Sequence, residues 1–325
     1  MGSIVDEREE FTVLVTGFAP FRSQYPRNPS WEIASRLPAF LPPLQPKDPA
    51  TRDGPKLPEV RIVVNPEPIR VNYKTVREIV PKLWDQGQQS QGRAYDAVIH
   101  IGMAGPRPMY QIERRGHRDG YKSRDVDGEL LGDEDAEGAH KEGWYWEGLP
   151  EELKTDLDLD DVLERWKQHS PKDADLRISE DAGHFLCDFI YYSSLSHLYS
   201  HHPDRPRKVV FLHVPADAND ETIPRGRDLA LALIRAIAES EIDARRKHPQ
   251  VSSTPHRETS ISIHAPAFTM CRPANCDTCK KTTWWGCGSH VPMVMDTIKT
   301  EDRCSCEPKV EREGKEYPPM AKQPS

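Results

Sequence analysis

Four short runs rich in β-branched residues recur along the chain: 11–16 (FTVLVT), 61–65 (RIVVN), 96–102 (DAVIHIG) and 208–214 (KVVFLHV). Apolar character within each is close to continuous, where a half-exposed strand would alternate. Such strands need cover on both faces, and the segments between them have the periodicity to provide it. Asn28-Pro29-Ser30 reads as a helix start ahead of Trp31, Ile33, Ala34 and Leu37. Val76, Ile79, Val80, Leu83 and Trp84 form a helical stripe, which Pro81 is expected to kink. Further helices are expected over 158–166, with acidic residues at its positive end, and over 179–198, with Phe185, Leu186, Phe189 and Ile190 as its stripe. A long amphipathic helix is expected over 224–247, aligning Leu229, Leu233 and Ile237 and closing on Arg245-Arg246-Lys247. Strand and helix in alternation indicate an α/β domain with a largely parallel central sheet, spanning 1–247.

The remaining segments read as connections. Residues 41–58 hold six prolines and can only be a loop, and the Gly/Gln/Ser stretch 86–93 reads as a linker. Residues 114–160 are charged with little periodicity, which predicts a long surface excursion. A linker is expected over 248–269, then a cysteine-rich module over 270–306 and a disordered tail over 307–325. A formal net charge of −8 argues against a nucleic-acid partner. No apolar run approaches membrane-spanning length and residues 1–10 are too acidic for a signal peptide, so a soluble, cytoplasmic protein is expected.

Six of the seven cysteines fall between Cys271 and Cys306, which leaves Cys187 alone in the α/β domain, without an intrachain disulfide partner there. It opens an apolar helical stretch. His213 lies in a strand-like run, and Glu113 follows shortly after another. Thiol, imidazole and carboxylate are the parts of a cysteine acyl-transfer site. Taken singly, each has a plainer reading: a packed thiol, a strand-end histidine, a surface ion pair of Glu113 with its arginine neighbours.

Four blocks in order alter that balance. Thr16-Gly17-Phe18-Ala19-Pro20-Phe21 with Asn28-Pro29-Ser30 resembles the N-terminal signature of the pyroglutamyl peptidase I family. His100-Ile101-Gly102-Met103-Ala104-Gly105-Pro106-Arg107 with Ile112-Glu113-Arg114 resembles its glutamate block. Ala182-Gly183-His184-Phe185-Leu186-Cys187-Asp188 resembles its nucleophile block, and Leu212-His213-Val214-Pro215 its histidine block. The resemblance covers about residues 11–247. It implies a three-layer α/β/α fold of the phosphorylase/hydrolase-like type and a cysteine exopeptidase that removes N-terminal 5-oxoproline without a catalytic cofactor. The roles implied are Cys187 as nucleophile, His213 as base and Glu113 as the third member. Phe18 and Phe21 match the aromatics lining the pyrrolidone pocket, with Gly17 and Met103 completing the substrate-binding set. The implied partners are peptides with an N-terminal pyroglutamate, and a homo-oligomer is compatible with the resemblance. Departures are Pro106 where the family usually has glycine, Met103 where glutamine or leucine is common, and the run from Arg115 to Tyr121 followed by an acidic insertion. These touch entrance loops and oligomer contacts more than chemistry. Two alternatives are a relative that binds modified N-termini without cleaving them, and an adaptor acting through the C-terminal module.

The C-terminal cysteines have metal-ligand spacing. Cys276-Asp-Thr-Cys279 is a C-x-x-C knuckle, and Cys304 and Cys306 complete the preferred zinc ligand set, with Cys287 and His290 as alternates. A segment this short has little core of its own, so bound zinc would supply folding energy. The stretch from Cys279 to Pro292 also resembles a family of very small, uncharacterised cysteine-rich proteins.

Overall fold

The computed structural model describes residues 10–44, 57–91, 94–105, 108–133, 139–247, 272–285, 291–295, 298–312 and 315–321. It divides into two compact units, Met1–Val251 and Ser252–Ser325. The expected linker 248–269, together with Arg107, Cys271, Cys287 and His290, lies outside the described residues.

The larger unit is built on a six-stranded sheet. Its strands are β1 (Glu10–Gly17), β2 (Glu59–Val64), β3 (Ala97–Ala104), β4 (Tyr110–Glu113), β7 (Leu176–Ser179) and β8 (Val209–Pro215), in the order β2-β1-β3-β8-β4-β7. All neighbours are parallel except β4 against β8. A short antiparallel pair, β5 (Arg115–His117) and β6 (Glu152–Lys154), stands apart from this sheet. Helices α1 (Pro29–Ala34), α3 (Leu159–His169) and α5 (Thr222–Lys247) share one apolar cluster with Val13, Val15, Ile99, Ile101, Val210 and Leu212. Helices α2 (Tyr73–Gln91) and α4 (Leu186–His201) share the other with Leu14, Val98, Val209 and Phe211. Alternate residues of one strand thus serve opposite layers, which is why the strand sequences read as continuously apolar. The architecture is the expected three-layer α/β/α domain. Among the described residues no helix is long and apolar enough to cross a membrane.

Local chemistry sets the helix starts. Asn28 caps α1 by accepting the Ser30 N–H at 3.1 Å, with Pro29 at the first helical position. Asp158 caps α3 by accepting the Asp161 N–H at 3.1 Å. Three expectations for this unit differ from the structure. Helix α2 continues through Pro81 and the expected linker 86–93 as far as Gln91. An internal proline costs about 3 kcal/mol. Burial of Val76, Val80, Leu83 and Trp84 outweighs it, at about 1.5–3 kcal/mol per large side chain. Helix α4 starts at Leu186, after a turn in which Gly183 has φ of +80° and donates to the Asp181 carboxylate at 2.8 Å. The 114–160 excursion is no mere surface loop: Tyr121, Trp146 and Leu153 are buried against α4. The Trp146 ring lies 5.0 Å from Phe189 and 4.7 Å from Tyr192.

In the smaller unit β9 (Arg272–Asn275) pairs with β10 (Thr282–Trp285), and α6 (Val291–Met295) follows. The expected tail at 307–325 is structured in its described part: β11 (Val310–Arg312) pairs with β12 (Lys315–Tyr317). Tyr317 is buried with Trp284, Val291 and Met295, and the Trp284 indole donates to the Pro318 carbonyl at 2.8 Å. One aromatic residue in a polar segment supplies the anchor, a signal too sparse for composition to register.

Candidate active site

Strand register assembles the site. His213 sits near the end of β8, opposite Gly102 of β3 on one side and Gln111 of β4 on the other. Glu113 pairs with Phe211 and is therefore diagonal to His213 on the same face, within reach of long side chains. The His213 Nδ1–H donates to Glu113 Oε1 at 2.7 Å, and the carboxylate is essentially fully buried. That bond directs Nε2 away from Glu113. The arginines beside Glu113 turn outward instead: Arg114 pairs with Glu180 and Asp160, Arg115 with Glu152 and Glu180. The surface ion pair and the buried carboxylate are thus different residues.

Cys187 occupies the first turn of α4, half-buried, with its sulfur close enough to His213 to bear on the charge of the imidazole. First-turn N–H groups have no acceptor within a helix, so the positive end of α4 faces the sulfur's surroundings. The sulfur lies over Gly102, where a Cβ would stand 2.9 Å from Cys187 Sγ and 2.5 Å from Phe211 Cζ. Only glycine leaves room for both. Burial pushes the His213 imidazolium down, but the neighbouring Cys187 sulfur and the Glu113 carboxylate push harder, and His213 is raised to about 10. Tyr191 of α4 donates to the Glu113 carbonyl at 2.8 Å and ties the helix to β4. His100, in contrast, lies between Thr16 Oγ1 and Ser194 Oγ at 2.8 Å each, and burial lowers it to about 3: a neutral core histidine.

The loop after β1 is held by the residues that follow it. The Phe18 N–H donates to Ser30 Oγ at 3.0 Å, and the Asn28 amide donates to the Ala19 carbonyl at 3.0 Å. Gly17 permits this closeness, since a Cβ there would meet Ser30 O at 2.7 Å. Phe18 is buried, and Phe21 lies 6.1 Å from Phe185 at the start of α4. Tyr73, which periodicity alone does not single out, meets Phe185 and Phe189 edge-on at 6.2 and 5.0 Å. Met103 pairs with Val214, and strand alternation gives it the face of Ile99 and Ile101, opposite to Cys187. Asp125 is a brace: its carboxylate accepts from the Asn72 amide at 2.8 Å and from the backbone of Asp127 at 2.9 Å.

In the smaller unit the sulfurs of Cys276, Cys279, Cys304 and Cys306 lie within 4.8 Å of one another, a set able to hold a metal ion. The knuckle sits at the β9–β10 turn, where Lys280 adopts φ of +61°. Backbone N–H groups of Cys279 and Thr278 point at the Cys276 sulfur and lower its thiol to about 6. The Cys304 N–H donates to the Thr282 carbonyl at 2.8 Å and brings the second pair alongside.

Comparison with known proteins agrees with this division. A family model described as pyroglutamyl peptidase matches residues 62–225, and one described as a domain of unknown function matches residues 270–314. Pyroglutamyl-peptidase 1 of Homo sapiens is 29% identical over 237 residues, covering 73% of this chain and 92% of that protein. Pyrrolidone-carboxylate peptidase of Bacillus subtilis (strain 168) is 26% identical over 250 residues, covering 74% and 95%. Pyrrolidone carboxyl peptidase from Thermococcus litoralis superposes with a TM-score of 0.52 at 16% identity, over 72% of this chain and 96% of that one. Pyroglutamyl peptidase I from Bacillus amyloliquefaciens gives a TM-score of 0.50 at 22% identity, over 71% and 98%. The two structural likenesses speak for the fold alone. With a family model spanning half its length and the blocks of residues 16–30, 100–114, 182–188 and 212–215 in order, the chain belongs to the pyroglutamyl peptidase family.

Proposed function

We propose that the protein is a cysteine exopeptidase that hydrolyses the amide bond after an N-terminal pyroglutamyl residue, with Cys187 as nucleophile, His213 as acid–base and Glu113 as its orienting anion. The observation that carries the reading is the buried Glu113–His213 hydrogen bond set beside the Cys187 sulfur, with the three groups drawn from β4, β8 and α4. Glu113 fixes the imidazole tautomer and stabilises its charged form. The imidazolium and the α4 N-terminus favour negative charge on the sulfur. Sulfur attacks the pyroglutamyl carbonyl carbon, and the first-turn N–H groups receive the developing oxyanion. The intermediate expels the amine, which takes its proton from His213. Water, deprotonated by His213, then cleaves the thioester and releases 5-oxoproline.

The lactam ring is flat and neutral, with one N–H and one C=O, so it suits an apolar slot with a few backbone partners. Phe18, Phe21 and the backbone at Gly17 supply such a wall, and the Met103 backbone at the end of β3 completes the set. A slot that pairs the lactam groups rejects proline, which has no such carbonyl and bears a charged amine. The four-cysteine set suits zinc, whose structural sites are tetrahedral and thiolate-rich. It would act on folding of the smaller unit, with catalysis needing no cofactor. Cytoplasmic residence agrees with unpaired thiols. An intact Cys-His-Glu line favours turnover over binding alone.

The test is fluorophore release from a pyroglutamyl amide under reducing conditions, beside a prolyl amide. Turnover of the first alone, abolished by Cys187→Ala, is expected. No turnover by the folded wild-type chain would refute the assignment.

A further inference from the structure

A second cluster of ligand-type side chains adjoins the nucleophile helix and has no part in acyl transfer. His117 ends β5, His184 lies in the loop entering α4, and Asp188 follows Cys187 in the first turn of α4. One donor atom from each lies within 4.8 Å of the others. The Asp188 side chain is fully buried, yet its carboxylate faces His117 Nδ1 at 3.4 Å. With metal–ligand bonds of about 2.0–2.2 Å, two ligands of one tetrahedral ion stand about 3.4 Å apart.

The surroundings of the three groups are those of metal ligands. The Asp119 carbonyl lies 3.1 Å from His184 Nδ1 and can only accept, so Nδ1 carries the proton and Nε2 keeps its lone pair. The His184 ring rests on Gly120, where a Cβ would come within 2.8 Å of Nδ1. His117 Nε2 faces the Glu152 carboxylate at 4.0 Å, which leaves Nδ1 turned to Asp188. The Tyr121 hydroxyl lies between Asp188 Oδ2, at 2.9 Å, and the His117 carbonyl, and the His117 backbone N–H donates to the same carboxylate at 3.2 Å. Each ligand is thus oriented by a partner of its own.

We propose that His117, His184 and Asp188 form a divalent transition-metal site that ties β5 and the 181–185 loop to the first turn of α4. Two imidazoles and one carboxylate suit zinc or cobalt, with a position left for water on the exposed His184 side. The His184 donor atom lies within 4.8 Å of the other two, while His117 and Asp188 already stand at ligand spacing. The site is separate from the four cysteines and does not depend on the peptidase reading.

The test uses the full chain carrying Cys187→Ala, so that the catalytic thiol does not compete. Zinc bound at equilibrium is counted in this parent and after adding His184→Ala or His117→Ala. Each addition is expected to remove one equivalent per chain, and Tyr121→Phe to weaken that equivalent by about 10- to 100-fold. The difference between parent and variant is independent of how full the cysteine cluster is. His184 is exposed, so its replacement leaves the fold in place. Cobalt gives a second readout: the equivalent lost with His184 should lack thiolate charge-transfer absorption. Equal zinc in parent and both histidine variants, or a lost equivalent with thiolate charge transfer, would overturn the proposal.

Discussion

Replacing Gly102 by alanine tests the geometry beneath the proposed nucleophile more sharply than replacing Cys187 itself. The added methyl would stand 2.5 Å from Phe211 Cζ and 2.9 Å from Cys187 Sγ, whereas ordinary contact begins at 3.4 Å. The ring must therefore yield by about 0.9 Å and the sulfur by about 0.5 Å. Overpacking of this kind costs about 1–3 kcal/mol, within the reserve of a typical domain, so the variant folds with a lowered melting temperature. Misplacing a reacting atom by about 1 Å costs on the order of 100-fold in rate, so kcat for a pyroglutamyl amide should fall by roughly 10- to 100-fold. The aromatic wall follows β1 and only the Met103 backbone borders the substitution, so KM should change less than kcat. Adding Phe211→Leu gives the ring's space back and should recover stability while leaving kcat low. Wild-type kcat and melting temperature in Gly102→Ala would refute the placement of the thiol over β3.

Glu113→Gln should lower kcat by about 100-fold or more, because the imidazolium loses its buried counter-ion. His213 is raised from 6.5 to about 10 in the folded chain. Its charged form therefore stabilises the fold fully below pH 6.5, and that contribution is lost as pH rises through about 10. The basic limb of kcat/KM should lie far above neutrality in the wild type and move down in Glu113→Gln; a wild-type limb near pH 7 would contradict the coupling. Trp146→Ala should cost about 3–5 kcal/mol by urea denaturation, since the ring is buried against α4, whereas a loss near zero would return the insertion to the surface. Cys276→Ser should remove one bound metal ion and loosen the smaller unit, read by metal analysis and thermal unfolding; unchanged metal content would disprove ligation by the knuckle.

Much of this was legible in order along the chain. Continuous β-branched runs announced strands covered on both sides, and Asn28-Pro29-Ser30 and the acidic residues from Asp158 marked helix starts, because these signals act over a few residues. The family resemblance carried by the four motif blocks pointed to Cys187, His213 and Glu113. The C-x-x-C knuckle likewise announced a set of thiols able to hold a metal ion, since both its cysteines come from one turn. What escaped the sequence depends on partners far away in the chain. Tyr121, Trp146 and Tyr317 look like scattered aromatics until α4 or β10 supplies the other half of their burial. Strand β4 is four residues long, and only its antiparallel register with β8 sets Glu113 diagonal to His213. The need for glycine at 102 arises from a sulfur 85 positions later in the chain. Residue types and local periodicity are written in the sequence, so it determined the layers and the candidate reacting groups. Distances between groups on different elements are set by register and packing, so only the tertiary structure decided that Glu113 reaches His213 and that the thiol rests over β3.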